Sequence, residues 1–309
     1  MSERLVLRAP PPARADGRFA PSPTGPLHLG NLRTALLAWL LARAAGGRFL
    51  VRIEDLDVGR VRAEHCDGQL ADLAALGIDW DERPERQSGR FELYATALSE
   101  LERQGLLYEC WCTRAEIRDA ASAPHGDAPE GAYPGTCLRL TAAERRARHA
   151  AGRPAALRAR ADGAVVRFND RVHGPSGGTV DDFVVRRNDG AFAYNLATAL
   201  DDAAQGIGEV VRGDDLLGST PRQLWLLQRL GLAAPAYAHV PLMLGPDGAR
   251  LAKRHGAVIL AERMALGETA EEVRSELAAS VDLARPGELP SVATLIERVR
   301  ALAHLGAPA

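Results

Sequence analysis

Lysine is all but missing from this chain of 309 residues: 37 of its 38 basic residues are arginine, and the one lysine is Lys253. Together with a wealth of Ala, Gly and Pro, this reads as a compositional bias that spares lysine only where a guanidinium will not serve. An ammonium is a compact point charge and a guanidinium a flat fork, so Lys253 stands out before any motif is considered. Cysteine is scarce too. Four residues, Cys66, Cys110, Cys112 and Cys137, are too few and too unevenly placed for a disulfide framework, and Cys66 is expected to be a small buried apolar residue. No apolar run reaches the roughly 18 residues that span a bilayer. The first sixteen residues hold Pro10, Pro11 and Pro12 but no signal-peptide core, and they read as a loose tail on a cytoplasmic protein. Nor is there an excess of either charge. A net charge of -2 excludes a body that merely coats nucleic acid and leaves any such contact to a local patch. What remains, 46% hydrophobic and 25% charged, suits a globular protein with a full α/β core.

The chain opens strand–helix–strand. Residues 17–20 read as a short strand, 21–26 as a Pro/Gly/Ser/Thr loop, 29–45 as a long apolar helix and 49–53 as a second strand. Helical spacing returns at 60–76 and 89–104. This order predicts an α/β fold, a Rossmann-like parallel sheet with helices on both faces. From 106 to 188 the pattern changes to a loop-rich stretch between Cys110 and Cys137 and then short β-like runs, with a hairpin turn at Asn188-Asp189-Gly190. That block is expected to be an insertion splitting the catalytic domain into halves at 17–105 and 189–264. The second half is predicted to hold a strand at 209–212, a helix at 216–230 and a strand at 240–244. A turn at 245–248 precedes the lysine, and 265–309 reads as a short helical C-terminal segment.

Three constellations carry chemistry. Residues 21–31 read Pro-Ser-Pro-Thr-Gly-Pro-Leu-His-Leu-Gly-Asn, at the junction of the first strand and helix. Strand carboxyl ends in an open parallel sheet face a ligand crevice, and a helix N-terminus offers N–H groups and partial positive charge to phosphate. His28 adds a donor there, and Gly30 permits a planar base to lie close to the backbone. The second constellation is Arg250-Leu251-Ala252-Lys253-Arg254, a lysine loop suited to neutralising polyphosphate charge as it develops. The third is Cys110, Cys112 and Cys137, three thiols that match a structural zinc site once a fourth ligand is found; His125 is a chemically usual candidate.

The first two constellations resemble the HIGH and KMSKS signatures of class I aminoacyl-tRNA synthetases. Residues 18–31, 52–57, 194–197 and 211–220 are similar to the glutamyl branch of that family. The likeness covers nearly all of 17–256. It departs at Asn31, where HIGH ends in His, and in the lysine loop, where Arg250 stands for the first Lys and Ala252 for the Ser. The resemblance implies an enzyme that adenylates glutamate with ATP and magnesium, with His28 and Lys253 as catalytic groups. Pro21, Gly25, His28, Gly30, Asn31 and Lys253 would hold ATP. Arg18, Phe19, Ala20, Pro21, Ser22, Glu54, Tyr194 and Arg212 would hold glutamate: the arginines for its carboxylates, Glu54 for its ammonium and Tyr194 closing the pocket. It also implies Tyr133 as the fourth zinc ligand.

Little more than fifty residues follow the lysine loop, whereas glutamyl-tRNA synthetases carry a large helical portion that reads the anticodon. The short form resembles the glutamyl-Q tRNA(Asp) synthetases, which esterify the queuosine base in the anticodon loop of tRNA(Asp). The expected partners are therefore ATP, L-glutamate and queuosine-containing tRNA(Asp). Arg-rich stretches at 139–148 and 158–171 are candidates for phosphate contact. A truncated enzyme charging the 3′ end of tRNA(Glu) and a non-catalytic tRNA-binding relic are the alternatives.

Overall fold

The computed structural model describes residues 5–13, 15–113, 115–117, 133–245, 247–249, 251, 255–256 and 258–305. Its frame is a seven-stranded sheet in which β1 (Gly17–Phe19) lies between β2 (Phe49–Ile53) and β9 (Glu209–Gly213). Beyond β2 is β3 (Glu85–Arg86); beyond β9 come β10 (Ala236–Val240), β6 (Val165–Asp170) and β7 (Gly174–Thr179). The pairings are parallel except for the β6–β7 hairpin. The chain leaves β1 for β2 on one side and returns as β9 on the other, so the ends of β1 and β9 form a switch point where a crevice opens.

Helix α1 (Leu29–Ala44) buries eleven of its sixteen residues. A helix apolar nearly all round must lie in the core, and each Leu removed from water there contributes about 1.5–3 kcal/mol. Gly17 sets its distance from the sheet: a Cβ at that position would stand 3.0 Å from Ala42 Cβ. On this face α8 (Ala270–Ala279) and α9 (Val292–Leu305) close the core over Leu36, Leu40, Leu73 and Leu277. The other face carries α3 (Phe91–Arg103), α5 (Tyr194–Ala204) and α6 (Thr220–Arg229) around Trp225, Tyr94 and Leu196. Helix α2 (Ala63–Ala75) follows β2, and α7 (Leu260–Ala265) precedes α8.

Several expectations need correction. The N-terminal segment is no loose tail from Leu5 on: Leu5 and Leu7 are buried, and Arg8 N donates to Arg171 O at 2.6 Å. Residues 165–179 extend the main sheet instead of belonging to an insertion. A separate three-stranded sheet, β4 (Leu107–Cys110), β5 (Ala156–Ala159) and β8 (Val184–Arg186), stands apart, with α4 (Ala142–Ala150) beside it. The strand expected at 240–244 lies at Ala236–Val240, because Pro241 has no N–H to continue the ladder. The helix expected from 216 begins at Thr220, with Pro221 in its first turn, where a missing N–H is harmless; a 3-10 segment covers Asp214–Ser219.

Candidate functional site

The loop leaving β1 is pinned from below. Gln69 of α2 donates to Ser22 O at 3.1 Å and Gly25 O at 2.7 Å, and Glu54 N donates to Pro21 O at 2.9 Å. The loop ends on His28, the N-cap of α1. Its Nδ1 accepts from Asn31 N at 3.2 Å, while Asn31 Oδ1 accepts from His28 N. That reciprocal box secures two helix-end donors and fixes the imidazole against Gly30, where a Cβ would lie 3.1 Å from the ring. Residues flanking the lysine on either side are tied to this region. Leu251 N donates to Met243 O, Leu29 N donates to Val258 O, and Ile259 bridges to His28. Lys253 itself, with Arg250, Ala252 and Arg254, lies outside the described residues.

Between these parts is a cavity of about 170 Å³ lined by Arg18, Phe19, Ala20, His28, Gly30, Asn31, Glu54, Tyr194 and Arg212, nine of the expected site residues. Ser22 lines an adjoining, larger cavity instead, and Pro21 and Gly25 shape the loop without reaching either. The two arginines have opposite surroundings. Arg18 grips Asp202 with Nε at 3.0 Å and Nη2 at 3.2 Å. Arg52, fully buried beneath it, donates to Asp202 at 2.7 Å and Gln205 at 2.8 Å and lies 3.3 Å from Glu54. Burial opposes ionisation of Asp202, but Arg18 and Arg52 hold its carboxyl below the usual range. Glu54 is the reverse: burial pushes its pKa up despite Arg52, Arg18 and the Thr198 hydroxyl at 3.0 Å.

Among the described residues Arg212 meets no carboxylate. Its Nε donates to His239 Nε2 at 3.0 Å, Nη2 to Thr220 Oγ1 at 2.8 Å and Nη1 to Gln223 Oε1 at 2.8 Å; Tyr194 Oη lies 3.5 Å from Nη1. The guanidinium is buried. Its charge is held in place but not cancelled, which is what a site for an incoming carboxylate requires.

Sequence reasoning gave no role to Arg52 and Thr220, although both lie in the motifs at 52–57 and 211–220, and it missed Thr198, Asp202, Gln223 and His239. For Thr198 and Asp202 there was a signal, since they follow Tyr194 by four and eight residues and share its helix face. For His239 there was none, because its link to Arg212 is made only by strand pairing.

The adjoining cavity, about 910 Å³, opens between the main sheet and the small one and shares Glu54 and Tyr194 with the first. Its far wall includes Trp111, Cys112, Arg153 and Arg158. At that wall the thiols of Cys110, Cys112 and Cys137 lie within 4.8 Å of one another. Tyr133 Oη is 3.4 Å from Cys110 Sγ and 3.5 Å from Cys112 Sγ, and its ring is covered by the Arg158 guanidinium at 3.7 Å. His125, the alternative ligand, lies outside the described residues. Burial pushes the Cys112 thiol up to about 12, whereas hydrogen bonds from Tyr133 and the Trp111 N–H hold Cys137 below its ordinary value against burial. Three thiols crowded this way cannot all ionise unaided, and a dication with Zn–S bonds of about 2.3 Å suits the set. Cys66 is buried, as expected, and not part of this cluster.

The Arg-rich stretches divide. On α4, Arg146 and Arg148 are exposed. By contrast Arg158 is buried over Tyr133 at the wall of the larger cavity, and Arg171 is buried in an ion pair with Glu209, so neither belongs to the exposed basic surface. No helix among the described residues is long and apolar enough to cross a membrane.

Comparison with known proteins agrees with this geometry. A family model described as tRNA synthetases class I (E and Q), catalytic domain, matches residues 15–275. The chain is 59% identical over 267 residues to the glutamyl-Q tRNA(Asp) synthetase of Nocardia farcinica, covering 86% of this chain and 85% of that one. It is 54% identical over 274 residues to the protein of the same name from Symbiobacterium thermophilum, covering 85% of each. Among solved structures it is similar to a glutamate tRNA ligase from Elizabethkingia meningosepticum in complex with its amino acid. That match has a TM-score of 0.76 and 29% identity over 91% of this chain, which spans 64% of the ligase's length.

Proposed function

The chain belongs to the class I tRNA synthetases (E and Q), and on that footing we propose that it activates L-glutamate with ATP and esterifies it to the queuosine base in the anticodon loop of tRNA(Asp). The observation that carries the amino-acid half is the buried Arg212, whose hydrogen-bond partners among the described residues are all neutral. A buried cation left uncompensated favours an anionic ligand. Across the same small cavity, half-buried Glu54 offers an anion to the substrate ammonium. Arg18, largely neutralised by Asp202, contributes Nη1, which points toward Val211 O at 3.4 Å on the cavity wall.

No nucleophilic side chain is needed. An oxygen of the glutamate α-carboxylate attacks the α-phosphorus of ATP, an O–P bond forms and the bond to pyrophosphate breaks. His28 and the N-terminus of α1 orient the phosphates, and Lys253 is assigned to the charge that gathers on the leaving group. Magnesium would accompany the nucleotide and supply charge neutralisation at its phosphates. In the second step a hydroxyl of the queuosine cyclopentene diol attacks the activated carbonyl, AMP leaves and an ester remains. Cys110, Cys112, Tyr133 and Cys137 would hold zinc, which when bound cross-links the end of β4 to the turn at 133–137.

Support for this acceptor comes from kinship with the two glutamyl-Q tRNA(Asp) synthetases of matching extent. The larger cavity is also of a size that takes a nucleoside, and a base in a single-stranded loop can be splayed into such a pocket. The test is glutamate transfer to an anticodon stem-loop of tRNA(Asp). The stem-loop carrying queuosine should accept glutamate as an alkali-labile ester, with affinity falling steeply as salt rises, and its guanosine counterpart should accept none. Glutamate found on the terminal adenosine of tRNA(Glu) would overturn the acceptor assignment in favour of a 3′-end-charging enzyme.

A further inference from the structure

We propose that His239 is a positioning residue: a neutral imidazole, its proton held on Nδ1 by Asp170, that aims the Arg212 guanidinium into the amino-acid pocket. The proposal rests on the reading of Arg212 as the carboxylate-binding group. Arg212 and His239 are register partners on adjacent parallel strands, β9 and β10, so their side chains leave the same face of the sheet. A guanidinium can only donate. With Arg212 Nε 3.0 Å from His239 Nε2, that nitrogen must be the acceptor, and the ring proton must sit on Nδ1. Asp170 Oδ2 lies 2.6 Å from Nδ1 to receive it. Asp170 is itself fixed at the end of β6, where its Oδ1 accepts the N–H groups of Val172 and His173 at 2.9 Å each.

The other charged and titratable groups facing the ring agree with a neutral form. Arg212 lies on one side, Tyr237 is stacked at 5.8 Å, and His173 lies beyond Asp170 in the turn after β6. Burial lowers the His239 pKa against the pull of Asp170. A protonated ring would turn an N–H toward the Arg212 N–H and set two cations about 3 Å apart, which is strongly unfavourable in a buried site.

The arrangement answers a physical problem. A long arginine stem has many rotamers, and fixing it costs entropy. A carboxylate partner would fix it and cancel its charge, which is the fate of Arg18 against Asp202. A neutral imidazole fixes the guanidinium through Nε and leaves its charge for the substrate. Thr220 and Gln223 hold the two Nη atoms in the same neutral way.

The experiment compares His239→Gln with His239→Asn in glutamate-dependent ATP–pyrophosphate exchange by the full chain. Glutamine places its Oε1 where Nε2 stands and can accept from Arg212; asparagine can bond Asp170 but is too short to reach Arg212. We expect His239→Asn to raise KM for glutamate about tenfold or more while KM for ATP stays within about twofold, and His239→Gln to recover most of the loss. Combined with Arg212→Lys, His239→Asn should add less than about twofold, because its effect passes through Arg212. Rescue by Asn instead of Gln, equal losses for both substrates, or full additivity with Arg212→Lys would overturn the proposal. Wild-type exchange with glutamate but no KM difference between the two variants would sink the inference alone. Absence of exchange with glutamate in the wild type would instead remove the reading of the pocket on which it rests.

Discussion

At the scale of single residues, the site is a set of buried charges with unlike neighbours. Arg18, Arg52, Glu54, Asp201 and Asp202 form one network in which cations and anions largely offset each other. Such networks fix geometry more than they add stability. Arg212 stands outside it among neutral groups. Glu54 is the network's most useful member for binding, since burial has already raised its pKa and an incoming ammonium favours its ionised form. The sign follows: as pH falls toward that raised pKa, Glu54 takes up a proton and glutamate affinity drops. Glutamate titrations between about pH 5 and 8 should show this weakening toward acid. In Glu54→Gln, affinity at neutral pH should be lower by about 10- to 100-fold, the worth of a charge-assisted contact, and less of what remains should be lost on acidification. Unchanged affinity in that variant would remove Glu54 from the ammonium site. That Arg18 and Glu54 belong to a pocket was legible from their places at the ends of neighbouring strands. Which arginine kept its charge was not, because Asp202 and His239 come from distant parts of the chain.

At the scale of elements, the fold separates two jobs. The parallel sheet and α1 hold the small cavity, while the small sheet with the cysteine cluster walls the larger one. Tyr133 is the hinge of that second unit, since it touches Cys110, Cys112 and the Cys137 N–H and lies under Arg158. Zinc here would brace the wall without entering the chemistry. The Cys110→Ser/Cys112→Ser variant should therefore lose close to one zinc per chain by elemental analysis. It should keep much of its glutamate-dependent pyrophosphate exchange and lose more of its transfer to RNA. Metal at background in well-folded wild-type protein would dispose of the zinc site. The three thiols could be read from spacing alone; their convergence could not, because residues 110–112 and 137 meet only after the intervening chain returns.

At the scale of the whole molecule, groups of this chain alone hold the side chains of the small cavity. Arg18, Glu54, Tyr194 and Arg212 line it together, and none of the four needs a group from outside the chain to hold it there. Pyrophosphate exchange should accordingly proceed with glutamate and ATP in the absence of tRNA. An absolute requirement for tRNA would show that assembly is not complete. The flanks of the lysine segment are bonded to Met243, which lines that cavity, and to His28 and Leu29 at the head of α1. Lys253→Arg should then lower turnover by about tenfold or more and leave KM for glutamate within about threefold, since a planar fork is a poor substitute for a point charge formed to meet the transition state. Full activity in Lys253→Arg would refute the argument from the solitary lysine.

The sequence by itself determined the class of fold, the loop at 21–31 that leads into α1, the three thiols and most residues that line the small cavity. Each of these is written in local order: a strand followed by a Pro/Gly loop and an apolar helix, or a fixed spacing of ligand types. Tertiary structure decided what local order cannot encode. It drew residues 165–179 into the main sheet through the pairing of β6 with β10, and packed Leu5 and Leu7 onto the core. It removed Arg158 and Arg171 from the basic surface by burial. It also gave the two pocket arginines opposite roles, because charge in a protein interior is set by the partners that distant strands and helices bring within about 3 Å, not by neighbours in the chain.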